Sequence, residues 1–344
     1  AMNPQSYNED LREINSGGYL IYDSSWKRDF ERTDINIIEI PLTKLCVEEF
    51  SNPKTRLLFK NIVYVGALSY LLGMDKEIYE TLIAEQFKGK EKLIAPNIKA
   101  LNIGYDYASE NLKGSCEIKV NKSEKTKGMI LTSGNDASGL GCVYGGATVC
   151  AWYPITPSTS LAEAFTDYSE KLRIEEETNK NKYAIIQAED ELAAIGMAIG
   201  ANWNGARAFT ATSGPGISLM SEFLGLAYFA EVPLVVFDIQ RGGPSTGMPT
   251  RTQQSDVLSC AYASHGDTKH VLLIPSNPKE CFEFAAEAFD LADRIQTPII
   301  ILSDLDLGMN DWSCPEFEWD DSKTYDKGKV LHAKDLEEIE NFGR

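Results

Sequence analysis

Short apolar runs alternate with amphipathic stretches along residues 129–307, which is the pattern of repeated strand–helix units. Several of these runs are apolar throughout, as parallel strands covered on both faces should be. The predicted strands are 129–132, 148–152, 183–187, 207–211, 233–238, 270–274 and 298–302. The predicted helices, with apolar residues at three- and four-residue spacing, are 160–173, 190–203, 217–230 and 278–294. The pattern therefore predicts an α/β fold with a doubly wound parallel sheet.

The preceding region, residues 1–112, has a weaker pattern. A strand-like run at 36–40 is followed by helical segments near 54–73, 76–87 and 97–112. One strand and three helices make a poor independent core, so this region is expected to pack on something else or to belong to a larger domain. The next segment is charged and poor in large apolar side chains, which predicts a linker over residues 113–128.

Composition narrows the possible partners. The chain has 344 residues, 43% of them hydrophobic, and a formal net charge of -18. No cluster of Lys and Arg interrupts this acidic background, so a nucleic acid backbone would be repelled. The longest apolar runs, such as 232–237 and 298–302, are far too short to span a bilayer, and a soluble protein is expected.

The cysteines are scattered along the chain, and no pair has the CxxC spacing of a zinc or iron–sulfur site. They are Cys46, Cys116, Cys142, Cys150, Cys260, Cys281 and Cys314. The sequence starts at Ala1-Met2 without a signal-type apolar stretch. These features favour reduced core thiols in a cytoplasmic protein.

The first candidate for chemistry is the loop Tyr153-Pro154-Ile155-Thr156-Pro157-Ser158, directly after a predicted strand. Its prolines exclude helix, and its hydroxyls fall where a parallel sheet opens its ligand crevice, beyond the carboxyl ends of strands. A strand-to-helix connection with Thr159 or Ser160 as N-cap explains the same residues, and the two interpretations are compatible.

The second candidate is the acidic start of the helix at 190–203. Glu191 shares a face with Ala194, Ile195 and Ala198, so its carboxylate points along an apolar stripe and needs a polar partner or a helix N-terminus. An acidic first turn that complements the helix dipole is the alternative. Glu189 and Asp190 fit that alternative well, and Glu191 fits it less well.

Two further loops follow the next strands. Thr212 and Ser213 begin a glycine-containing entry to a helix, which suits close approach of a ligand or of another backbone, although it lacks a nucleotide-binding fingerprint. The loop 240–254 carries Arg241, Thr250 and Arg251 on a glycine-rich path that could hold a carboxylate. Each loop could equally be a tight turn or a solvated surface loop, but four polar loops after consecutive parallel strands could line one crevice.

Together these segments resemble the α subunit of 2-oxoacid:ferredoxin oxidoreductases. The match runs in order through Ser133-Gly134-Asn135-Asp136-Ala137, Tyr153-Pro154-Ile155-Thr156-Pro157-Ser158, Glu189-Asp190-Glu191, Thr212-Ser213-Gly214-Pro215-Gly216, Gln240-Arg241-Gly242-Gly243-Pro244-Ser245-Thr246-Gly247 and Ser303-Asp304. The resemblance implies a pyrimidine-binding α/β domain for thiamine diphosphate at 129–310. It also implies a partial γ-like domain at 1–112, and an acidic extension at 311–344 toward a further domain. By this resemblance both ends of the family's chain are incomplete here.

The resemblance also implies roles for the candidate residues. Glu191 would be the catalytic carboxylate facing N1′ of the aminopyrimidine, where it would favour the imino tautomer. Thr156, Arg241 and Thr250 would bind the 2-oxoacid, with Arg241 paired to a carboxylate. The cofactor pocket would be formed by Tyr153, Pro154, Ile155, Thr212 and Ser213. No metal ligand is expected in this chain.

Missing motifs point to a partner chain. Gly266-Asp267-Thr268 lacks the second glycine of the Gly-Asp-Gly motif that holds the diphosphate and Mg²⁺ in thiamine enzymes. The resemblance implies that a β subunit supplies the diphosphate site, the Mg²⁺ and a [4Fe-4S] cluster, in an (αβ)₂ heterotetramer.

The implied reaction is the oxidative decarboxylation of 2-oxoglutarate with coenzyme A, giving acyl-CoA and CO₂ and passing electrons to ferredoxin. Pyruvate and branched-chain substrates stay open. Two other hypotheses also stay open: a thiamine-dependent decarboxylase or transketolase-like half without ferredoxin, and a non-catalytic assembly subunit.

Overall fold

The computed structural model describes residues 7–26 and 28–339, and this part of the chain divides into two compact units, 1–124 and 125–344. The first residues of the predicted γ-like domain and the last residues of the predicted acidic extension lie outside the described ranges. The domain limits inferred from the sequence stay a prediction.

The first unit contains a parallel pair of strands covered by helices. Its strands are β1 (Tyr19–Asp23) and β2 (Asn36–Ile40), and its helices are α1 (Tyr7–Glu13), α2 (Leu42–Glu49), α3 (Pro53–Leu72), α4 (Lys76–Gln86) and α5 (Ile94–Asn111), with a 3₁₀ turn at Glu91–Leu93. In α3 and α5, Gly66 and Gly104 let the backbones approach closely, since a Cβ on either would come within 2.0 Å of a carbonyl oxygen of the other helix. The unit therefore has a core of its own, built around Ile40, Leu42 and Val63.

Part of the predicted linker is held to this first unit. The backbone N–H of Val120 donates to the carbonyl of Leu72 (2.8 Å), and Lys119 Nζ donates to the carbonyl of Leu71 (2.7 Å). Cys116 is buried in the same core.

The second unit is an α/β domain built on a six-stranded parallel sheet. Its parallel strands are β4 (Val149–Trp152), β7 (Ala184–Gln187), β8 (Ala208–Thr212), β9 (Leu234–Gln240), β10 (Val271–Leu273) and β11 (Pro298–Asp304). They lie in the order β10-β11-β9-β8-β4-β7. The predicted doubly wound parallel sheet is thereby confirmed, and β8, β9 and β11 are buried along their whole length.

Helices cover both faces of this sheet. The helices of the unit are α6 (Gly134–Tyr144), α7 (Thr159–Leu172), α8 (Glu191–Trp203), α9 (Gly214–Phe229), α10 (Val257–Ala261), α11 (Pro278–Ile295), α12 (Leu305–Met309) and the exposed α13 (Ala333–Glu337), which covers neither face. Side chains of α6, α7 and α11 pack on one face around Phe165, Phe209 and Phe237. Side chains of α8, α9 and α10 pack on the other, around Ile195 and Met220. Two cores on opposite faces are what a sheet of apolar strands requires.

The strand predicted at 129–132 does not join the parallel sheet, so that part of the prediction is wrong. It forms β3 (Met129–Thr132), which pairs antiparallel with β12 (Trp312–Pro315). The sequence of a short strand with alternating exposure does not identify the strand it pairs with. The pairing depends on which distant segment of the folded chain lies beside it. A small hairpin, β5 (Ile174–Glu175) with β6 (Lys180–Asn181), completes the strands.

The start of the acidic extension packs on this unit. Phe317 stacks on Phe282 of α11, and Trp319 lies against Tyr144 of α6. Further along, Tyr325 lies under the guanidinium of Arg207, 5.0 Å from the ring centre. Within the described ranges, no helix combines the length and the apolar character needed to cross a membrane.

Candidate functional site

The four polar loops singled out in the sequence leave four neighbouring strands of the sheet. They follow β7, β4, β8 and β9, which are adjacent in that order. From β4 the chain moves to the edge strand β7, and from β8 it moves the other way to β9, so the winding direction changes between β4 and β8. Ligands of such sheets bind in the crevice beyond the carboxyl ends of the strands at this change of direction. The fold therefore brings the loops of β4 and β8 to the expected crevice.

Glu191 is the first residue of α8, and its side chain is 8% exposed. The helix is capped by Asp190, whose side chain accepts from the N–H of Ala193 (2.7 Å), whereas Glu189 is exposed. The side chain of Glu191 therefore does not cap the helix. Within the described chain no hydrogen bond or ion pair reaches its carboxylate, whose oxygens keep some exposure and are therefore open to a ligand.

The loop of β8 lies against Glu191. A Cβ added to Gly216 would come 1.8 Å from Thr212 Oγ1 and 3.0 Å from Glu191 Cγ, so only glycine allows this approach. Thr212 and Ser213 are fully buried, and the hydroxyl of Ser213 lacks a partner in the described chain. Two candidates for the cofactor pocket therefore stand beside the candidate catalytic acid.

Arg241 joins the loop of β9 to the loop of β4. Its Nη1 donates to the carbonyl of Thr156 and its Nη2 to the carbonyl of Thr246, each at 2.6 Å. The side chain is 7% exposed, and its Nε has no partner in the described chain. Burial lowers the pKa of Arg241 from its usual value, yet a guanidinium keeps its charge at neutral pH. The site thus holds a buried cation with one donor unused.

Arg241 lines a cavity of about 620 Å³ between the glycine-rich loop and the start of α9. Gly214 and Pro215 line it on the helix side, and Gln253 and Asp256 on the loop side. A buried cation beside a helix N-terminus favours an anionic ligand. The cavity is large enough for a small organic acid.

The other predicted residues are more loosely placed. Tyr153 and Ile155 are half-buried and Pro154 is exposed in the loop of β4, where the N–H of Thr159 donates to the carbonyl of Ile155 (3.1 Å). Thr250 is exposed and accepts a bond from Arg251 (3.4 Å to its hydroxyl), and it does not line the cavity of Arg241. The structure therefore joins Arg241 to Thr156 and leaves Thr250 apart from them.

Sequence reasoning missed two buried acids near this edge. Burial raises the pKa of Asp238 well above its usual range, and the nearby charge of Asp256 raises it further. Burial also raises the pKa of Asp256. The thiol of Cys260 donates to Asp238 Oδ2 at 3.4 Å. Nothing local in the sequence predicts these positions, because Asp238 lies inside an apolar strand and is paired from a distant helix.

Asn135 was also missed as a functional residue. It lies in the first turn of α6, is fully buried, and donates to the carbonyl of Pro157 (2.9 Å) and to Ser160 Oγ (2.8 Å). The sequence feature that could have identified Asn135 is its position in the motif 133–137. Across the described residues, no group of three or more His, Cys, Asp or Glu side chains is arranged to hold a metal, and all seven cysteines are buried and unpaired.

Two protein-family models match this chain. The family described as pyruvate flavodoxin/ferredoxin oxidoreductase, thiamine diphosphate-binding, matches residues 140–337. The family described as pyruvate ferredoxin/flavodoxin oxidoreductase matches residues 1–107.

Individual relatives carry related names. A 2-oxoacid:ferredoxin oxidoreductase α subunit of Aeropyrum pernix is 38% identical over 88% of this chain and 48% of its own length. The 2-oxoglutarate oxidoreductase subunit KorA of Mycobacterium tuberculosis is 34% identical over 92% of this chain and 51% of its own. The chain thus spans about half the length of these curated relatives.

A solved structure shares the fold. The 2-oxoglutarate:ferredoxin oxidoreductase of Magnetococcus marinus, with 2-oxoglutarate, coenzyme A and succinyl-CoA bound, aligns with a TM-score of 0.80 and 33% identity. The alignment covers 95% of this chain and 56% of that one. The chain therefore belongs to the pyruvate flavodoxin/ferredoxin oxidoreductase family and contains the domain by which that family is described as thiamine diphosphate-binding.

Proposed function

We propose that this chain is the α subunit of a 2-oxoacid:ferredoxin oxidoreductase that acts on 2-oxoglutarate. The reaction converts the 2-oxoacid and coenzyme A to acyl-CoA and CO₂, and two electrons pass to ferredoxin. The names of the relatives and the molecules bound in the Magnetococcus marinus structure support this choice.

The carboxylate of Glu191, unpartnered in the described chain on a residue that is only 8% exposed, is the observation that carries the proposal. A basic ring nitrogen is a partner that a buried carboxyl can satisfy by sharing a proton. The surroundings fit a polar heterocycle, because the buried hydroxyl of Ser213, on the loop packed against Glu191 through Gly216, has no partner within the described chain. When bound, thiamine diphosphate supplies the carbon nucleophile and the electron sink needed for decarboxylation of a 2-oxoacid.

The residues of this chain would divide the work as follows. Glu191 holds a proton at N1′ of the ring and so promotes proton removal by its exocyclic amine. Tyr153, Pro154, Ile155 and the buried Thr212 line the ring. Arg241 attracts the substrate carboxylate with its charge, and Thr156 offers its hydroxyl to the same substrate. Thr250 would have to move toward Arg241 to join them, since it lies outside the cavity. Burial strengthens the contact of Arg241 relative to water.

A β subunit completes the proposed site. It brings the diphosphate site with Mg²⁺ and the [4Fe-4S] cluster that takes the electrons one at a time toward ferredoxin, in an (αβ)₂ complex of the cytoplasm. The net charge of -18 disfavours binding to nucleic acid, because the phosphate backbone would be repelled.

The proposal is tested by purifying the native complex and identifying the chains that accompany this one. Reduction of a viologen dye is then measured with 2-oxoglutarate, pyruvate and branched-chain 2-oxoacids, each with and without coenzyme A. We expect a companion chain with cluster-spaced cysteines, and the highest kcat/KM with 2-oxoglutarate.

Each alternative gives a different result. A higher kcat/KM with pyruvate or a branched-chain acid would change the substrate assignment. Decarboxylation without dye reduction would indicate a thiamine-dependent decarboxylase. Absence of any 2-oxoacid turnover in the intact complex would leave a transketolase-like half or a non-catalytic assembly role and would overturn the proposal.

A further inference from the structure

Two consecutive carbonyl groups of the loop after β4 are held by two different buried side chains. The carbonyl of Thr156 accepts from Arg241 Nη1 (2.6 Å), and the carbonyl of Pro157 accepts from Asn135 Nδ2 (2.9 Å). Arg241 comes from the loop of β9, whereas Asn135 comes from α6. The backbone around Thr156 is thereby tied to two separate elements of the domain.

Asn135 also ties this loop to the helix that follows it. Its Nδ2 donates a second bond to the hydroxyl of Ser160 (2.8 Å), in the first turn of α7. Both N–H groups of the amide are therefore used, one on each side of the point where the loop becomes helix. The residue is fully buried, so water does not compete for these bonds.

The orientation of the Asn135 amide is set by its surroundings. Its Oδ1 lacks a partner in the described chain and lies where a Cβ on Gly308 would come within 2.8 Å. The helix that carries Asn135 is itself capped by Ser133, whose Oγ accepts from the N–H of Asp136 (3.1 Å). An unpartnered buried amide oxygen carries a cost in stability, which the two bonds donated by Nδ2 offset.

We propose that Asn135 is a positioning residue that holds Thr156 in register with Arg241 for binding of the 2-oxoacid. This inference rests on the proposed function, because it assigns the loop of Thr156 to substrate. Asn135 acts through Pro157 and Ser160 and does not itself contact substrate. Its loss lets the loop move, which weakens substrate binding more than it slows the chemical step.

The molecule offers a matched control in Asn202, at the opposite end of the sheet. Asn202 is also buried, and its Nδ2 donates to the carbonyls of Ala198 (2.9 Å) and Ala208 (3.0 Å). Replacing either asparagine by aspartate keeps the shape, and a buried aspartate that stays protonated donates at most one of the two bonds. Only one of the two positions touches the loop of the proposed substrate site.

The experiment compares Asn135→Asp and Asn202→Asp in the intact complex by two measurements. Hydrogen exchange followed by mass spectrometry reports on the peptide 153–160, whose amides at Ile155 and Thr159 bond within the loop. Steady-state kinetics give KM and kcat for the 2-oxoacid. For Asn135→Asp we expect faster exchange in this peptide and a KM raised about tenfold, the factor that the loss of one net hydrogen bond produces, with kcat changed less.

The outcomes separate the inference from the proposed function. Unchanged exchange in Asn135→Asp, unchanged KM, or an equal rise of KM in Asn202→Asp overturns the positioning role while wild-type turnover stands. A wild-type complex without 2-oxoacid turnover overturns the proposed function, and the exchange measurement then shows whether Asn135 holds the loop at all.

Discussion

The two ends of the parallel sheet differ in how many partners their buried arginines and neighbouring polar groups have. At the amino end, Arg207 is 3% exposed and forms ion pairs with Asp290 (2.7 Å) and Asp293 (2.8 Å). The same guanidinium donates to the carbonyls of Gly145 and Asp326. The charge and the N–H groups of Arg207 therefore have partners within the unit.

At the carboxyl end, buried polar atoms are left without partners in the described chain. They are Asn135 Oδ1, Ser213 Oγ, Asp238 Oδ1, Arg241 Nε, Asp256 Oδ2 and Ser303 Oγ, whereas Ser169 Oγ and His270 Nδ1 are the unpartnered buried atoms toward the amino end. The carboxylate of Glu191 also has no partner in the described chain, although its oxygens keep some exposure. An unmet polar atom costs stability, so a cluster of them at one edge indicates groups kept for a ligand.

This contrast shows that burial alone does not distinguish a structural cluster from a binding site. Arg207 and Arg241 are both buried arginines that donate to backbone carbonyls. Arg207 also has two carboxylates, whereas Arg241 has none among its described hydrogen-bond partners and ion pairs. The following changes test the contrast, from the largest expected effect to the smallest.

Glu191→Gln removes the acid and keeps its shape. If the carboxyl shares a proton with the cofactor, turnover of the intact complex falls by roughly 10²–10⁴-fold. Steady-state kinetics measure this, with Glu189→Gln as control, because Glu189 is exposed two residues away. Turnover within a factor of about three of wild type would contradict a role in proton transfer.

Arg207→Met breaks the satisfied cluster at the amino end. It leaves the partly buried Asp290 and Asp293 without the guanidinium, and Asp290 keeps Lys323 (3.7 Å) as an ion-pair partner, at a cost of up to about 3 kcal/mol, or a Tm lower by up to about 10 °C. KM for the 2-oxoacid stays unchanged, because the cluster lies away from the crevice. Arg294→Met is the control: its ion pair with Asp326 is half-exposed (50% and 47%) and screened by solvent, so its loss leaves Tm almost unchanged.

Arg241→Lys keeps the positive charge of the site but removes the fork of the guanidinium, the two nitrogens that donate hydrogen bonds in different directions. A single ammonium cannot span the carbonyls of Thr156 and Thr246 as the guanidinium does, so KM for the 2-oxoacid rises about tenfold. The control is Arg251→Lys in the same loop, where the side chain is exposed. Equal KM values for wild type and Arg241→Lys would mean that the fork is dispensable.

Asp238→Asn tests the buried acid of the carboxyl end through pH. Because burial raises the pKa of Asp238 in the folded chain, its contribution to stability is full below the usual carboxyl pKa and is lost as pH rises through the raised value. The asparagine variant lacks this loss, so its Tm declines less between acidic and alkaline pH. Thermal unfolding across that range measures the difference.

Asp320→Asn serves as a control of opposite sign. Hydrogen bonds from Ser322 lower the pKa of Asp320, so its contribution is present above the usual carboxyl pKa and is lost in acid. A steeper alkaline decline in Asp238→Asn than in wild type would contradict a carboxyl that is protonated in the fold.

Periodicity predicted the main sheet well because its strands are short apolar runs and its helices are amphipathic. The predicted helices at 160–173 and 278–294 correspond to α7 and α11, within a residue of each end. Helix α6 was not predicted, because Gly134, Gly139 and Gly141 give it little intrinsic helix propensity. It forms because those glycines let it pack closely: a Cβ at Gly141 would come 2.3 Å from the carbonyl of Phe282.

The sequence by itself determined the six segments that form the parallel sheet and the loops that follow them, because both depend on local patterns of apolar, proline and glycine residues, but it did not show that β3 stays outside the sheet. It also placed Glu191 on an apolar helix face. Only the tertiary structure decided which strands are neighbours, that Arg241 meets Thr156, and that Asn135 holds the same loop. The reason is physical: a hydrogen bond between residues 85 positions apart depends on the path of the whole chain and leaves no mark on either local sequence.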